Sequence, residues 1–294
     1  MEEDKKCIKK LELKSNIKKI KESEFESTKE TTNTSKTDYE NKNNIIQLIK
    51  ENNHQFLENF EILDYVNSGS VGTFYVACLK KKSNLKVGLK FYLNRKHKEE
   101  EFENEEIKFL KNLNHKNIIK LFGYSKINDM NTCAILELAK YGDFYDFQSK
   151  ILKRKYLSET FICYIAFQLL ESINYIHKNK ILHCDIKESN ILVDANLNFK
   201  LTDFSVSTSY SKYNSNEKIK YPFVGTGKYI SPEILSGEKI LVKDTNKIDL
   251  YSLGIMLYYL AFKCYPYDLK TVKSSDYEGI LQNLKNNKSW IVLN

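Results

Sequence analysis

The feature that most constrains this chain is a change of hydrophobic period near residue 143. Before it, apolar residues alternate as strands require. Phe60–Val66, Thr73–Leu79 and Lys86–Leu93 read as three strands, and Cys133–Leu138 as another. One helix interrupts them, Glu99–Leu113, with Phe102, Ile107, Phe109, Leu110 and Leu113 on its apolar side. After Asp143 the spacing becomes helical. Phe161–His177 and Ile248–Phe262 are long apolar helices, and Asp276–Asn287 is a last one. Strands first and helices later predict an α+β fold: a small β-rich lobe, then a larger α-helical lobe.

The first 44 residues differ from the rest. They are rich in Lys, Glu, Asn and Ser, and Ser27–Thr37 is almost purely polar. Such a segment buries too little surface to offset its ordering entropy, so 1–44 is expected to be a disordered extension. Within it, Ile8, Leu11, Ile17 and Ile20 suit a weak amphipathic helix. Residues 45–59 suggest a short helical lead-in, and the folded domain is expected over 60–294, its lobes meeting between 138 and 139.

Composition narrows the function classes. The 294 residues carry a formal net charge of +8, yet of 46 basic residues only Arg95 and Arg154 are arginine. Lysine is a hydrated point charge and lacks arginine's bidentate fork. The lysines are spread along the chain with no aromatic-interleaved stripe, so no nucleic-acid footprint is expected. No uninterrupted run of about 18 apolar residues predicts a membrane span. The N-terminus, Met-Glu-Glu-Asp-Lys-Lys, has no apolar signal core. Six scattered cysteines include no C-x-x-C pair and no zinc-ligand spacing, so reduced thiols in cytoplasm or nucleus are expected.

Five segments carry chemistry. Asn67-Ser68-Gly69-Ser70-Val71-Gly72-Thr73-Phe74 lies between two predicted strands, where glycines let a backbone approach phosphates. Alone it reads as a plain hairpin. Lys90 follows Val87-Gly88-Leu89 on the third strand, and alone it reads as an edge lysine. His183-Cys184-Asp185-Ile186-Lys187-Glu188-Ser189-Asn190 holds a carboxylate able to accept a hydroxyl proton, a lysine suited to a phosphoryl group and an amide suited to Mg²⁺. Asp203, in Leu201-Thr202-Asp203-Phe204-Ser205, offers a second oxygen ligand. The fifth segment is Gly225-Thr226-Gly227-Lys228-Tyr229-Ile230-Ser231-Pro232-Glu233.

In this order and spacing the five segments resemble the eukaryotic protein kinases, from about Phe60 onward. The resemblance implies a bilobed protein-kinase-like fold and ATP with Mg²⁺ as cofactors. It implies a protein substrate with a Ser or Thr acceptor, since Lys187 and Thr226 are similar to the serine/threonine type. It assigns Gly69 and Gly72 to the phosphate loop, Lys90 and Glu106 to the ion pair that positions the phosphates, and the backbone of Glu137 and Ala139 to the adenine edge. Phe74, Gly88 and Leu192 would enclose adenine, and Asp143 would meet ribose or substrate. Asp185 and Lys187 would be catalytic, with Asn190 and Asp203 as metal ligands. Thr226 would shape the acceptor site, while Glu233 and Asp249 would be structural. Leu110, His183 and Phe204 would stack between the lobes.

Departures from the family set further expectations. Asn67 replaces the first loop glycine. Phe74 and Gly88 replace the usual valine and alanine, one adding volume where the other removes it. Cys184 replaces an arginine that in many kinases holds an activation-loop phosphate, and Ser205 replaces the glycine after Asp203-Phe204. The family's last helices are expected to be missing, which would leave Glu233 buried without its arginine, at a cost on the order of 3–5 kcal/mol. These departures define the alternative reading, a pseudokinase acting as a nucleotide-binding or allosteric module.

Overall fold

The computed structural model describes residues 56–68, 72–80, 82–93, 104–128, 131–153, 156–267 and 277–286. The expectations for residues 1–44 and for Gly69 lie outside these.

The first lobe is a five-stranded antiparallel sheet: β1 (Phe60–Ser68), β2 (Gly72–Leu79), β3 (Lys82–Leu93), β4 (Leu121–Asn128) and β5 (Asn131–Leu136), in the order β1-β2-β3-β5-β4. On β3, successive side chains point to opposite faces. Val87 and Leu89 join Phe60, Ala77, Leu79, Phe122, Cys133 and Ile135 in one buried cluster. Lys90 and Tyr92 lie on the other face, beside the helix α1 (Glu105–Leu110). Ahead of β1, the described part of the lead-in is a turn of 3₁₀ helix, Phe56–Asn59.

Three elements differ from the sequence expectation. β4 was not expected; its Tyr124 and Ile127 are exposed and its pairing to β5 shifts register twice, so its apolar residues do not mark one buried face. β1 runs past the expected Phe60–Val66 to Ser68, and every residue from Glu61 to Ser68 is exposed at this edge of the sheet. Of the helix expected over Glu99–Leu113, residues 99–103 lie outside the described residues and the helix ends at Leu110. There Asn112 and Leu113 donate to carbonyls three residues back, which tightens the chain into turns. Its start is fixed by Asn104, whose side chain accepts the amides of Glu106 and Ile107.

The second lobe is built on α2 (Glu159–Lys178) and α3 (Lys247–Phe262), with α4 (Tyr277–Asn286) farther along the chain. α2 is capped by Ser158, which accepts the Phe161 amide at 3.3 Å. It buries Phe161, Ile165, Leu169, Ile173 and Ile176, three or four residues apart, so one stripe faces the core. Phe199 sits at the centre of an aromatic cluster with Phe144, Phe147, Phe161 and Tyr164. Phe199 belongs to a two-stranded antiparallel ribbon, Ile191–Val193 against Phe199–Leu201, in which Ile191 pairs with Leu201, so Asn190 and the segment leading to Asp203 lie at the same end.

No described helix is long and apolar enough to cross a membrane.

Candidate active site

The floor of the site is the loop from His183 to Asn190, and its position is set by one buried carboxylate. Asp249, fully buried in the first turn of α3, accepts the backbone amides of His183 at 3.0 Å and Cys184 at 2.9 Å. It also bonds the His177 ring at 2.8 Å. Burial would raise its carboxyl's pKa, but His177, His183 and the amides outweigh that and hold it below the ordinary range. This support keeps Cys184 at φ 67°, a left-handed conformation that costs a non-glycine residue about 1–3 kcal/mol. Asp203, at φ 63°, is held in the same region. The His183 ring then bonds the Thr202 carbonyl at 2.9 Å and packs edge-on against Phe204, 4.9 Å between centroids, so the two loops are locked together.

Asp185 is the convergence point. Its Oδ2 accepts Lys187 Nζ at 2.7 Å and Asn190 Nδ2 at 2.9 Å, while its Oδ1 accepts the Thr226 hydroxyl at 2.8 Å. Lys187 also donates to Thr226 at 2.7 Å. Gly225 permits this approach: it adopts φ 104°, and a β-carbon on it would lie 2.5 Å from the Cys184 carbonyl. Thus Thr226 meets Asp185, 41 positions away in sequence, at one carboxylate.

Across the cleft, Lys90 Nζ lies 2.5 Å from Glu106 and 3.4 Å from Asp203. Burial would lower the lysine's pKa, but the two carboxylates outweigh it and the net shift is upward. Asp203 is the mirror case. Burial would raise its pKa, yet Lys90, the Ser205 hydroxyl and His183 hold it below the usual carboxylate range. The Ser205 hydroxyl therefore favours the charged form of Asp203, which a glycine could not do. Glu105, next to Glu106, points away and pairs with Lys108 on the surface.

Asn190 and Asp203 suit a small hard cation. Asn190 gives its amide N–H groups to the carbonyl and carboxylate of Asp185, leaving Oδ1 as its ligand atom. The Thr202 amide donates to the Asn190 carbonyl at 3.0 Å, which brings the Asp203 segment alongside. Two oxygen ligands match Mg²⁺, which binds through one or two carboxylates, phosphates and retained water.

The remaining candidates spread around this centre. A β-carbon on Gly72 would run into the Phe91 carbonyl, so this glycine is required by the β2–β3 approach itself. The Phe74 ring fills the space above Gly88, where an added β-carbon would overlap its Cζ and lie 2.8 Å from Cε2. At the lobe junction, Glu137 donates its amide to the Lys120 carbonyl and its side chain meets buried Lys200 at 3.2 Å. Ala139 is buried beside it. Asp143 caps the helical turn Phe144–Asp146 by accepting the Asp146 amide at 2.8 Å, and its backbone bridges to Leu192. Leu110 is buried in the central cluster with Phe204.

Glu233 corrects an expectation. It is exposed in the short helix Pro232–Leu235, so its carboxylate meets water and the burial penalty expected for a missing arginine does not arise. Sequence reasoning also missed two groups. Lys200 is a nearly buried cation on the central ribbon, and Tyr92 touches Glu106. The signal for Tyr92 was its place two residues after Lys90, on the same strand face.

The site thus sets the Lys90–Glu106–Asp203 group beside the cradled Asp185 carboxylate. The protein kinase domain model matches residues 60–291, and the chain belongs to the protein kinase family. Among its relatives, NUAK family SNF1-like kinase 2 of Homo sapiens is 31% identical over 76% of this chain. The probable serine/threonine-protein kinase PLK of Dictyostelium discoideum is 36% identical over 60%, and serine/threonine-protein kinase SIK2 of Gallus gallus 33% over 59%. The matched parts make up 34%, 17% and 21% of those three proteins, so this chain spans about a third of the longest-matched relative.

Proposed function

We propose that this chain transfers the γ-phosphoryl group of ATP to a serine or threonine hydroxyl of a protein substrate, with Mg²⁺. The observation that carries the reading is Asp185, oriented by three side chains at 2.7–2.9 Å and facing the Lys90–Glu106–Asp203 group. Each contact is a pre-set orientation, so catalysis is positioning and electrostatics.

Asp185 accepts the proton of the attacking hydroxyl. Thr226 fixes the acceptor side of that carboxylate, and Lys187 places positive charge where the transferring group's charge develops. Lys90, oriented by Glu106, positions the α- and β-phosphates, and Gly69 and Gly72 are the phosphate-loop glycines. The backbone at Glu137 and Ala139 meets the adenine edge between Phe74 and Gly88 above and Leu192 below. Asn190 and Asp203 hold Mg²⁺, which neutralises phosphate charge when bound. Asp143 faces the ribose or substrate side. Five described cysteines are free thiols, which fits an ATP-supplied cytoplasmic or nuclear setting.

The test is phosphate transfer from ATP·Mg²⁺ to a generic protein substrate, comparing the wild type with Asp185→Asn at equal folded concentration. The expected result is transfer in the wild type and a loss of about 10²–10⁴-fold in the variant. Nucleotide binding without transfer by the wild type would overturn the reading.

A further inference from the structure

We propose that Tyr92 is a positioning residue that holds Glu106 on Lys90, through a hydrogen bond from its hydroxyl to the carboxylate. The consequence for phosphate transfer rests on the kinase reading; the contact itself does not.

Lys90 and Tyr92 are two residues apart on β3, so both side chains leave the same face toward α1. Tyr92 is 1% exposed, and its hydroxyl donates to Glu106 Oε2 at 3.0 Å. The same oxygen takes Lys90 Nζ at 2.5 Å. Glu106 Oε1 is buried with no hydrogen-bond partner among the described residues. One oxygen therefore carries both contacts, and its place decides whether the ion pair forms.

Simple packing would be served by phenylalanine. A buried hydroxyl is costly unless bonded, and here Glu106 is its partner. Burial and the Glu106 charge push the phenol's pKa well above its ordinary value, so it remains a donor at any working pH. Register adds the frame. Tyr92 faces Gly72 on one side and Thr132 on the other, inside the sheet. Asn104 meanwhile pins the Glu106 amide. The carboxylate is thus held from its own backbone and from β3.

The test is a double-mutant cycle in the full chain: Tyr92→Phe, Glu106→Gln and the pair. Phe keeps the buried ring and removes only the hydroxyl. Phosphate transfer is measured as kcat and KM for ATP, with amide hydrogen exchange over residues 105–110 in parallel. Tyr92→Phe should lower kcat/KM on the order of tenfold and speed exchange in α1. In the Glu106→Gln background it should do neither. Equal effects in both backgrounds, or none in either, would overturn the proposal and leave Tyr92 a packing residue. If the wild type transfers no phosphate, the kinase reading fails alone, and the exchange cycle still decides the role of Tyr92.

Discussion

The ring of Phe74 occupies the volume that a side chain on Gly88 would need; a β-carbon there would lie 2.8 Å from Phe74 Cε2. The two residues are diagonal neighbours on the β2–β3 pair, where Phe74 is opposite Lys90 and Gly88 opposite Val76, and the ring reaches over the glycine, so they act as one packing unit. Gly88→Ala should therefore weaken ATP·Mg²⁺ binding by about 1–3 kcal/mol through overpacking. In a Phe74→Val background the same change should be nearly neutral. Binding constants for the four proteins check this, and additive effects would sink the coupling.

Asp249 makes stability pH-dependent. Its folded-state pKa lies below the unfolded value of about 3.9. The unfolded state therefore binds the proton more readily, and stability from this group is present above that value and lost as pH falls toward the depressed folded pKa. Asp249→Asn should cost about 1.5–3 kcal/mol at neutral pH. The gap between variant and wild type should narrow as pH drops below about 4. Urea unfolding midpoints across pH 3–7 would show a gap that stays constant if Asp249 is not the group responsible.

The Cys184 thiol should be slow to react. Burial, then the nearby charges of Asp249 and Asp185, push its pKa well above the ordinary range. Cys163 and Cys264 are exposed thiols. Alkylation at neutral pH, read by peptide mass, should mark those two first. Early labelling of Cys184 in the folded protein would contradict its surroundings.

A neutral thiol at residue 184 also supplies no cation for a phosphate on the segment after Asp203. Activity is therefore expected to survive phosphatase treatment of the purified protein. The comparison is the initial transfer rate before and after removal of phosphate from residues such as Ser209 and Ser215. A collapse of the rate would show that another group takes the role of the absent arginine.

Glu233 is exposed, so Glu233→Gln should shift unfolding stability by no more than about 0.5 kcal/mol. A loss of several kcal/mol in a denaturant titration would mean that this carboxylate is buried against a partner in the folded protein.

What the residues announced, and what they did not, divides along physical lines. β2, β3 and the helices α2 and α3 follow hydrophobic period, because each buries a face or stripe in a core. The site was legible as a spacing, since Asp185, Lys187 and Asn190 lie in one loop and their chemistry is local. β4 escaped because its exposed Tyr124 and Ile127 break any inside–outside rule. β1 shows alternation without burial, because an edge strand need not cover a core. The contact of Tyr92 with Glu106 depends on a strand and a helix meeting; spacing from Lys90 gives the shared strand face but not the partner. Burial of Glu233 was inferred from a lost partner, whereas exposure removes the need for one.

Asp249 ties the reactive loop directly to the inside of the second lobe through two amides and a histidine ring. That loop has no separate melting of its own to undergo. Warming the protein should leave its chemical competence intact until the helices beneath it give way, and heat inactivation and loss of α-helical signal should then fall on a single curve.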